Sequence, residues 1–170
     1  DLSCQITTTA CGTYNSIGDP NVAGDIGNTA TAPYGIQVQN QSGFLVENCD
    51  VRNVVNTGGT ADGINVLAFQ GVSTVRNNIV NGVRNAGAAS TTAFAGIRAS
   101  HTITGTHSLR IYNNAVSNIT SGYIGAASAT RAIKGIFIAG TGGASTQTYE
   151  IWNNTVSIDG SSSLNISSTC

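Results

Sequence analysis

Two stretches of the chain, IYNNAVSNI at 111–119 and IWNNTVSID at 151–159, consist of nearly the same nine letters. Two related stretches precede them, VENCDVRNV at 46–54 and VRNNIVNGV at 75–83. Each of these four Asn motifs follows a shorter motif, and the short motifs are GIQVQ at 35–39, GINVL at 63–67, GIRAS at 96–100 and GIFIA at 135–139. Two motifs in a fixed order, repeated along a chain, indicate a repeat architecture.

The repeat is one of short strands joined by polar connections. The GI motifs begin 28, 33 and 39 residues apart, so the repeat lengthens toward the C-terminus. The framework segments are three to five residues long with alternating apolar positions, which is the periodicity of a β-strand. The intervals are rich in Gly, Ser, Thr and Ala, which favour connections, and the added length is therefore placed in loops. A degenerate further copy of the Asn motif is predicted in TYNSIGD at 13–19.

Short strands repeated in fixed order predict an all-β solenoid in which each repeat forms one coil. A single coil cannot bury its apolar side, and stacking the coils creates a continuous core with parallel strands about 4.8 Å apart. We predict a single domain over residues 1–170 with about five coils. Their approximate boundaries are 1–34, 35–62, 63–95, 96–134 and 135–170.

The GI-x-V strand followed by [IV]-x-N-N-x-[VI] resembles the right-handed parallel β-helix repeat of secreted bacterial surface proteins. The resemblance covers roughly residues 35–160. It implies a right-handed parallel β-helix of adhesin type at an extracellular or cell-surface location. The same architecture serves polysaccharide-cleaving enzymes, phage tailspikes and inert stalks, so the resemblance specifies the fold more closely than the function.

Aligning the copies places equivalent residues of successive coils in columns. Three columns are apolar and are predicted to point inward and form most of the core. They are Val46, Val75, Ile111 and Ile151; Val51, Val80, Val116 and Val156; and Ile36, Ile64, Ile97 and Ile136.

Residues between the apolar columns are predicted to point outward, where three neighbouring pairs are complementary. The pairs are Glu47 with Arg76, Arg110 with Glu150, and Tyr112 with Trp152. Opposite charges and aromatic rings are favourable neighbours on adjacent strands. Tyr112 and Trp152 are therefore either a stacked surface pair or a platform that binds a sugar ring.

The paired asparagines are predicted to form structural columns at a corner of the coil. One column contains Asn48, Asn77, Asn113 and Asn153, and the next contains Asn78, Asn114 and Asn154. Asn tolerates the left-handed backbone conformation of a tight bend. Its amide is both donor and acceptor, so identical amides on successive coils can bond in a ladder.

The cysteines favour an oxidising compartment. Four are present, Cys4, Cys11, Cys49 and Cys170, and none lies in a CxxC pair, so one or two disulfides are expected rather than a zinc site. Four cysteines allow three pairings, and spacing alone does not choose among them. Cys49 replaces the second Asn of its coil and is interpreted either as a buried thiol or as a partner of Cys11.

Charge and hydropathy exclude two classes of partner. The formal net charge is −1 and only 9% of the residues are charged, without a basic stripe for nucleic acid. No apolar run approaches eighteen residues, so no membrane span is predicted.

The acidic, lysine and histidine side chains that a catalytic site would need are not grouped in one column of the predicted coils. The aligned acids do not share a column, and Glu47 and Glu150 already have arginine partners. Lys134, the only lysine, is placed in a loop beside Arg131, and His101 and His107 are interpreted as exposed residues of a connecting loop. We therefore predict neither an enzyme nor a bound cofactor or metal.

Glycosylation sequons occur at Asn40, Asn118, Asn153 and Asn165, of which Asn40 and Asn165 are the preferred candidates. The Asn153 sequon conflicts with its place in the predicted ladder.

Both ends of the chain, LSCQI and SLNISSTC, are interpreted as partial coils without a cap. Uncapped coils expose strand edges, which favours end-to-end self-association, with Cys170 as a candidate link to Cys4 or Cys11 of the next unit. The predicted function is a non-enzymatic extracellular structural module of a surface stalk, adhesin or head-to-tail filament. The alternative is a β-helix that binds or cleaves polysaccharide through Tyr112, Trp152 and the long loops.

Overall fold

The computed structural model describes residues 5–7, 14–17, 34–56, 60–85, 94–101, 103–121, 133–140 and 145–158. These residues contain seventeen short strands. In chain order they are β1 (Gln5–Thr7), β2 (Tyr14–Ile17), β3 (Tyr34–Gln39), β4 (Leu45–Glu47), β5 (Asp50–Arg52), β6 (Val55–Asn56), β7 (Asp62–Leu67), β8 (Val72–Arg76), β9 (Ile79–Asn81), β10 (Arg84–Asn85), β11 (Phe94–His101), β12 (Gly105–Tyr112), β13 (Ala115–Ser117), β14 (Thr120–Ser121), β15 (Ile133–Gly140), β16 (Ser145–Trp152) and β17 (Thr155–Ser157).

The strands form four sheets, each built from equivalent strands of successive repeats. The orders are β1-β4-β8-β12-β16, β2-β3-β7-β11-β15, β5-β9-β13-β17 and β6-β10-β14. From β3 onward every pairing between repeats is parallel. The described strands are therefore consistent with a parallel β-solenoid, as the repeat predicts, while its handedness and the total number of coils stay predictions.

The strand register confirms the three apolar columns. Val46 pairs with Val75, which pairs with Ile111, and the other two columns are aligned in the same way. The members from the first three repeats are 0–1% exposed and belong to one continuous core cluster. Because identical or similar side chains stack on one another, each repeat adds a similar apolar layer to the core.

The glycine of the GI motif allows two walls of the coil to approach closely. A β-carbon added at Gly63 would lie 2.2 Å from a methyl group of Val80 and 2.6 Å from the Gly96 carbonyl oxygen. The same conflict recurs at Gly35 and Gly96. A larger residue would require backbone movement, which explains why this position is Gly in every copy.

The third and fourth repeats are longer partly because their strands are longer. The prediction of three- to five-residue framework strands is wrong for β3 and β7, which contain six residues each, and for β11, β12, β15 and β16, which contain eight. Residues Gly105–Ser108, assigned to a loop by composition, pair with Ser145–Thr148. Lys134 likewise lies in β15 and not in a loop. The short strands β6, β10 and β14 were not predicted from the motifs.

The first two strands do not follow the parallel pattern. β1 pairs antiparallel with β4, and β2 pairs antiparallel with β3. Tyr14–Ile17 therefore lies beside the first GI strand and does not align with the Asn motifs, contrary to the prediction for TYNSIGD. The expectation that the N-terminal end lacks a cap is also wrong for the described strands, because β1 and β2 cover the edges of β4 and β3.

Candidate functional site

The outward side of the sheet containing β4, β8, β12 and β16 carries one continuous row of interacting side chains. The register places Glu47, Arg76, Tyr112 and Trp152 next to one another across four strands. We call these four residues the aromatic face. Regular alternation directs them to the side of the strands opposite the core column that ends at Ile151.

The contacts along the aromatic face are formed by complementary neighbours. Nε of Arg76 lies 2.7 Å from a carboxylate oxygen of Glu47, and its Nη1 donates to the hydroxyl of Tyr112 at 3.0 Å. The rings of Tyr112 and Trp152 stack with centroids 4.4 Å apart and planes 10° apart. The hydrogen bonds to Tyr112 and Glu47 raise the pKa of Arg76 above its ordinary value.

A second row lies beside the aromatic face. Arg110 and Glu150 are paired in register, with their Nε and carboxylate oxygen 2.7 Å apart. All three outward pairs predicted from the columns are therefore formed. Exposed pairs of this kind contribute about 0.2–1 kcal/mol each, so they fix the register of the strands more than they stabilise the fold.

Trp152 gives the aromatic face a surface that could contact a ligand. Its side chain is 40% exposed, while Tyr112 is half-buried and has its hydroxyl bound to Arg76. A flat, exposed indole with charged neighbours has the chemistry for stacking on an apolar ring face of a partner. The contacts do not themselves identify a ligand.

The two columns of paired Asn have different roles. In the first column, Asn48, Asn77, Asn113 and Asn153 have positive φ of 52–56°, which is the left-handed conformation expected at a bend. In the second column, Nδ2 of Asn78 donates to Oδ1 of Asn114 at 2.9 Å, and Nδ2 of Asn114 donates to Oδ1 of Asn154 at 2.9 Å. The bend and the ladder, predicted for both columns together, are thus divided between neighbouring residues.

Each ladder amide also binds the backbone of the preceding coil. Nδ2 of Asn78 donates to the Val46 carbonyl oxygen, Nδ2 of Asn114 to that of Val75, and Nδ2 of Asn154 to that of Ile111. The amides of the column therefore satisfy buried polar groups at the corner, which would otherwise be costly.

A second pair of buried amides was missed by the sequence analysis. Asn56 and Asn85 are aligned on β6 and β10 and are 0% and 2% exposed. Nδ2 of Asn56 donates to the Thr60 carbonyl oxygen at 2.7 Å. Buried Asn side chains thus occur both in the second Asn column and on the sheet formed by β6 and β10.

A buried ion pair was also missed. Asp62, at the start of β7, is fully buried, and its carboxylate accepts from the backbone N–H of Ala95 and lies 2.8 Å from Nε of Arg98. Burial raises the pKa of Asp62 to about 6, against the opposing effect of Arg98. In the alignment of the repeats, Asp62 lies beside Ala95, three residues before Arg98. This proximity was the available signal in the sequence.

The interpretation of His101 as an exposed loop residue is wrong. Its side chain is fully buried, with its ring centroid 4.6 Å from those of both Phe69 and His107. Among the described residues, neither ring nitrogen has a partner at hydrogen-bonding geometry. Burial, and secondarily His107, lower the pKa of His101, while the Ile103 backbone has the opposite effect. The alternating apolar pattern could not reveal this, because β11 continues one residue beyond its motif.

His107 is closer to the surface and is tied to the backbone. Its Nδ1 accepts from the Gly71 N–H at 3.3 Å, and its Nε2 lies 3.2 Å from the Thr104 carbonyl oxygen. These contacts suit a neutral ring with the proton on Nε2.

Lys134 and Arg98 flank the ring of Phe137 on the sheet formed by β11 and β15. Nζ of Lys134 is 3.2 Å from the ring centroid, and Cζ of Arg98 is 5.1 Å from it. Burial, together with the charge of Arg98, lowers the pKa of Lys134. The lysine thus packs on an aromatic ring of its own strand.

The carboxylates in the described ranges are all neutralised by arginines. The ion pairs are Glu47 with Arg76, Asp50 with Arg52, Asp62 with Arg98, and Glu150 with Arg110. The same ranges contain no group of three or more His, Cys, Asp or Glu side chains placed to hold a metal ion. They also contain no helix long and apolar enough to cross a membrane.

The remaining predicted site residues are only partly described. Asn40 is exposed at a bend with φ 54°, as its glycosylation hypothesis requires, and Asn165 lies outside the described residues. Cys49 is buried, and its backbone N–H donates to Oδ1 of Asn78. Cys4, Cys11 and Cys170 lie outside the described residues, as does Arg131.

Comparisons with protein-family models, with curated proteins and with solved structures each find no match to this chain.

Proposed function

We propose that the chain is a non-enzymatic extracellular structural module, a right-handed parallel β-helix of about five coils that forms part of a surface stalk, adhesin or head-to-tail filament. The observation that carries the proposal is the exposure of core positions at the last described coil. Ile151 and Val156 are 44% and 43% exposed, whereas the earlier members of their columns are 0–1% exposed. Apolar residues beside open strand edges favour association with another coil.

The arrangement of charges supports a structural role. Catalysis by paired carboxylates requires two acids held at a defined separation on either side of the bond to be cleaved. Each of the four described acids instead has an arginine within ion-pair distance, and the pairs tie neighbouring strands or residues together. The charged side chains thus support the stacking of the coils.

A disulfide at Cys49 forms part of the proposal and supports the extracellular location. It is supported by the burial of Cys49 at the ladder corner and by the even number of cysteines in the chain. Cys11 is the preferred partner, with Cys4 and Cys170 as alternatives. Peptide mapping of the unreduced protein identifies the partner, and a free thiol at Cys49 in protein isolated without reductant would contradict this part of the proposal.

The structural proposal is tested by measuring self-association. We expect sedimentation velocity and negative-stain electron microscopy to show end-to-end assemblies that grow with protein concentration. Ile151→Lys should abolish them because it places a charge among the exposed apolar residues of the last coil. Val72→Lys is the matched control, since Val72 is 58% exposed at the start of β8. A monomer at high concentration, with and without reductant, would contradict self-assembly.

A second candidate function, carbohydrate binding or cleavage, is favoured by the stacked Tyr112 and Trp152. Exposed aromatic rings suit the apolar face of a sugar. Screening plant and microbial polysaccharides for binding and turnover tests it. Loss of binding in Trp152→Ala, with retention in Trp152→Phe, would support this function, and an identical response of all three proteins would exclude a role of the aromatic face.

A further inference from the structure

The Asn ladder has a direction. The backbone N–H and Nδ2 of Asn78 both donate to Oδ1 of Asn114, at 3.1 and 2.9 Å. In the same way, the backbone N–H and Nδ2 of Asn114 donate to Oδ1 of Asn154, at 3.0 and 2.9 Å. Each rung therefore consists of two donors on one coil and a single oxygen acceptor on the following coil.

The ladder begins at a position that lacks an amide. The backbone N–H of Cys49 donates to Oδ1 of Asn78, but the cysteine side chain supplies no oxygen to a coil before it. The edges of the first coil, β3 and β4, are moreover covered by the antiparallel strands β2 and β1. This end of the ladder is closed to a preceding coil of the same kind.

The other end of the ladder presents donors without acceptors. Asn154 uses its Oδ1 for Asn114 and one Nδ2 hydrogen for the Ile111 carbonyl oxygen. Within the described ranges its backbone N–H and its second Nδ2 hydrogen have no acceptor. Both groups occupy the positions from which Asn78 and Asn114 donate to the next coil.

Three further features coincide at this end of the stack. Among the described strands, β15, β16 and β17 are the last of their sheets and pair along one edge only. Ile151 and Val156, which continue buried columns, are exposed beside these edges. The surface formed by β16, β17 and Asn154, which we call the end face, repeats the contact surface that β12, β13 and Asn114 present to the fourth repeat.

We propose that the end face binds a polypeptide coil of the same repeat type, with the sequence pattern [IV]-x-N-N-x-[VI], running parallel to β16 and β17. Its apolar residues cover Ile151 and Val156, and the side-chain oxygen of its second Asn accepts the two donors of Asn154. The proposal rests on the proposed structural function and specifies the partner. In an end-to-end assembly of identical copies the ladder itself does not continue, because Cys49 stands at the acceptor position and β1 and β2 pair with the strand edges. Such an assembly rests on the apolar contacts of Ile151 and Val156, whereas a coil with the Asn pattern also completes the ladder.

The experiment uses the full chain and a synthetic peptide with the sequence of residues 105–119, GTHSLRIYNNAVSNI, which contains no tryptophan. Trp152 is the only tryptophan of the protein and lies on β16, so its fluorescence reports binding at the end face. We expect a saturable shift of the emission to shorter wavelength. A peptide with Ala in place of the second Asn should bind at least about tenfold more weakly, because it lacks the acceptor of two hydrogen bonds and the donor of a third to the Ile151 carbonyl oxygen. A peptide with Asp there should bind with intermediate affinity, since its carboxylate keeps the acceptor but lacks the donor.

The protein variant Ile151→Lys should lose the response to all peptides, whereas Val72→Lys should retain it. Equal affinity for the Asn and Ala peptides, or no saturable response to any peptide, would overturn the proposal. Self-assembly of the protein without peptide binding would overturn this inference and leave the structural function standing. Peptide binding by a protein that stays monomeric would support the inference and contradict assembly from identical units.

Discussion

The corner that carries the Asn ladder has the same residues in successive coils, whereas the corner that contains His101 has a different residue in each. At the ladder corner, Asn77 and Asn113 have φ of 55° and are each followed by a buried amide. At the second corner, the equivalent residues come directly after the aligned residues Gln39, Leu67, Ser100 and Ala139 of the GI strands. They are Asn40, Ala68, His101 and Gly140.

The two corners also differ in backbone conformation. Asn40 and Ala68 are left-handed, with φ of 54° and 55°, whereas His101 and Gly140 are the final residues of the eight-residue strands β11 and β15. The change coincides with the longer third and fourth repeats. The ladder corner keeps one conformation because its repeated Asn side chains form the same hydrogen bonds in each coil. The change in coil length occurs at the variable corner, the one that contains His101.

The largest effect is expected for Asn114→Ala at the centre of the ladder. The variant removes the acceptor of two Asn78 donors and the donor to the Val75 carbonyl oxygen, all at a buried corner. Leaving such groups unsatisfied should lower the free energy of unfolding by about 3 kcal/mol. Urea denaturation followed by circular dichroism measures the change. A loss below about 1 kcal/mol would show that the ladder is not the main constraint at this corner.

The ladder corner was predictable because identical letters recur at fixed positions within the motif. The Asn motifs aligned Asn78 with Asn114 and Val80 with Val116 without any knowledge of the structure, and the register confirms both alignments. The pairing of Tyr112 with Trp152 followed from the same alignment. Repetition supplies this information because equivalent residues of successive coils pack in the same environment.

The variable corner and the ends of the stack were not predictable in this way. The residues equivalent to His101 in the other repeats are not histidines, and local composition favoured an exposed loop because its neighbours are small and polar. Asp62 is buried through contacts with Ala95 and Arg98 of the following repeat, which its local sequence does not reveal. The antiparallel pairing of β1 and β2 departs from the repeat altogether, so the pattern of the other coils could not predict it.

Substitutions at Asn113 test the role of the first Asn column, the left-handed bend, separately from the ladder of the second column. Asn113 is exposed and left-handed, so Asn113→Ala should cost about 1.5 kcal/mol from backbone strain alone. Asn113→Gly should lie within about 0.5 kcal/mol of the wild type, because glycine adopts this conformation without strain. The same urea titration measures both variants. Equal destabilisation by Ala and Gly would indicate that the side chain of Asn113, and not its backbone conformation, is required.

At the variable corner a substitution should stabilise the protein, whereas the substitutions at the ladder corner destabilise it. His101 is buried, has no hydrogen-bond partner in the described part of the chain, and packs against Phe69. His101→Phe replaces an unsatisfied polar ring by an apolar ring and should raise the free energy of unfolding by about 1 kcal/mol. His101→Leu, with a smaller side chain, separates this gain from any effect of overpacking. Destabilisation by both variants would show that the imidazole makes a favourable interaction at this corner.

The smallest effect is the pH dependence that His101 gives to stability. Because burial lowers its pKa, the unfolded chain binds a proton on this residue at a higher pH than the folded protein does. The contribution of His101 to the free energy of unfolding should therefore fall as the pH drops below its ordinary pKa of 6.5.

The titration of Asp62 changes the free energy of unfolding in the opposite direction to that of His101. The two effects are separated by comparing the wild type with a variant that lacks only His101. Its pKa is raised from 3.8 to about 6, and the folded protein therefore binds this proton first, which adds stability as the pH falls through 6. Both wild type and His101→Phe retain Asp62, and His107 faces the substituted ring in both. The stability advantage of His101→Phe should widen between about pH 7.5 and about pH 5. An advantage that stays constant over this range would mean that His101 takes up its proton equally in the folded and unfolded chain, which would contradict the lowered pKa of the buried ring.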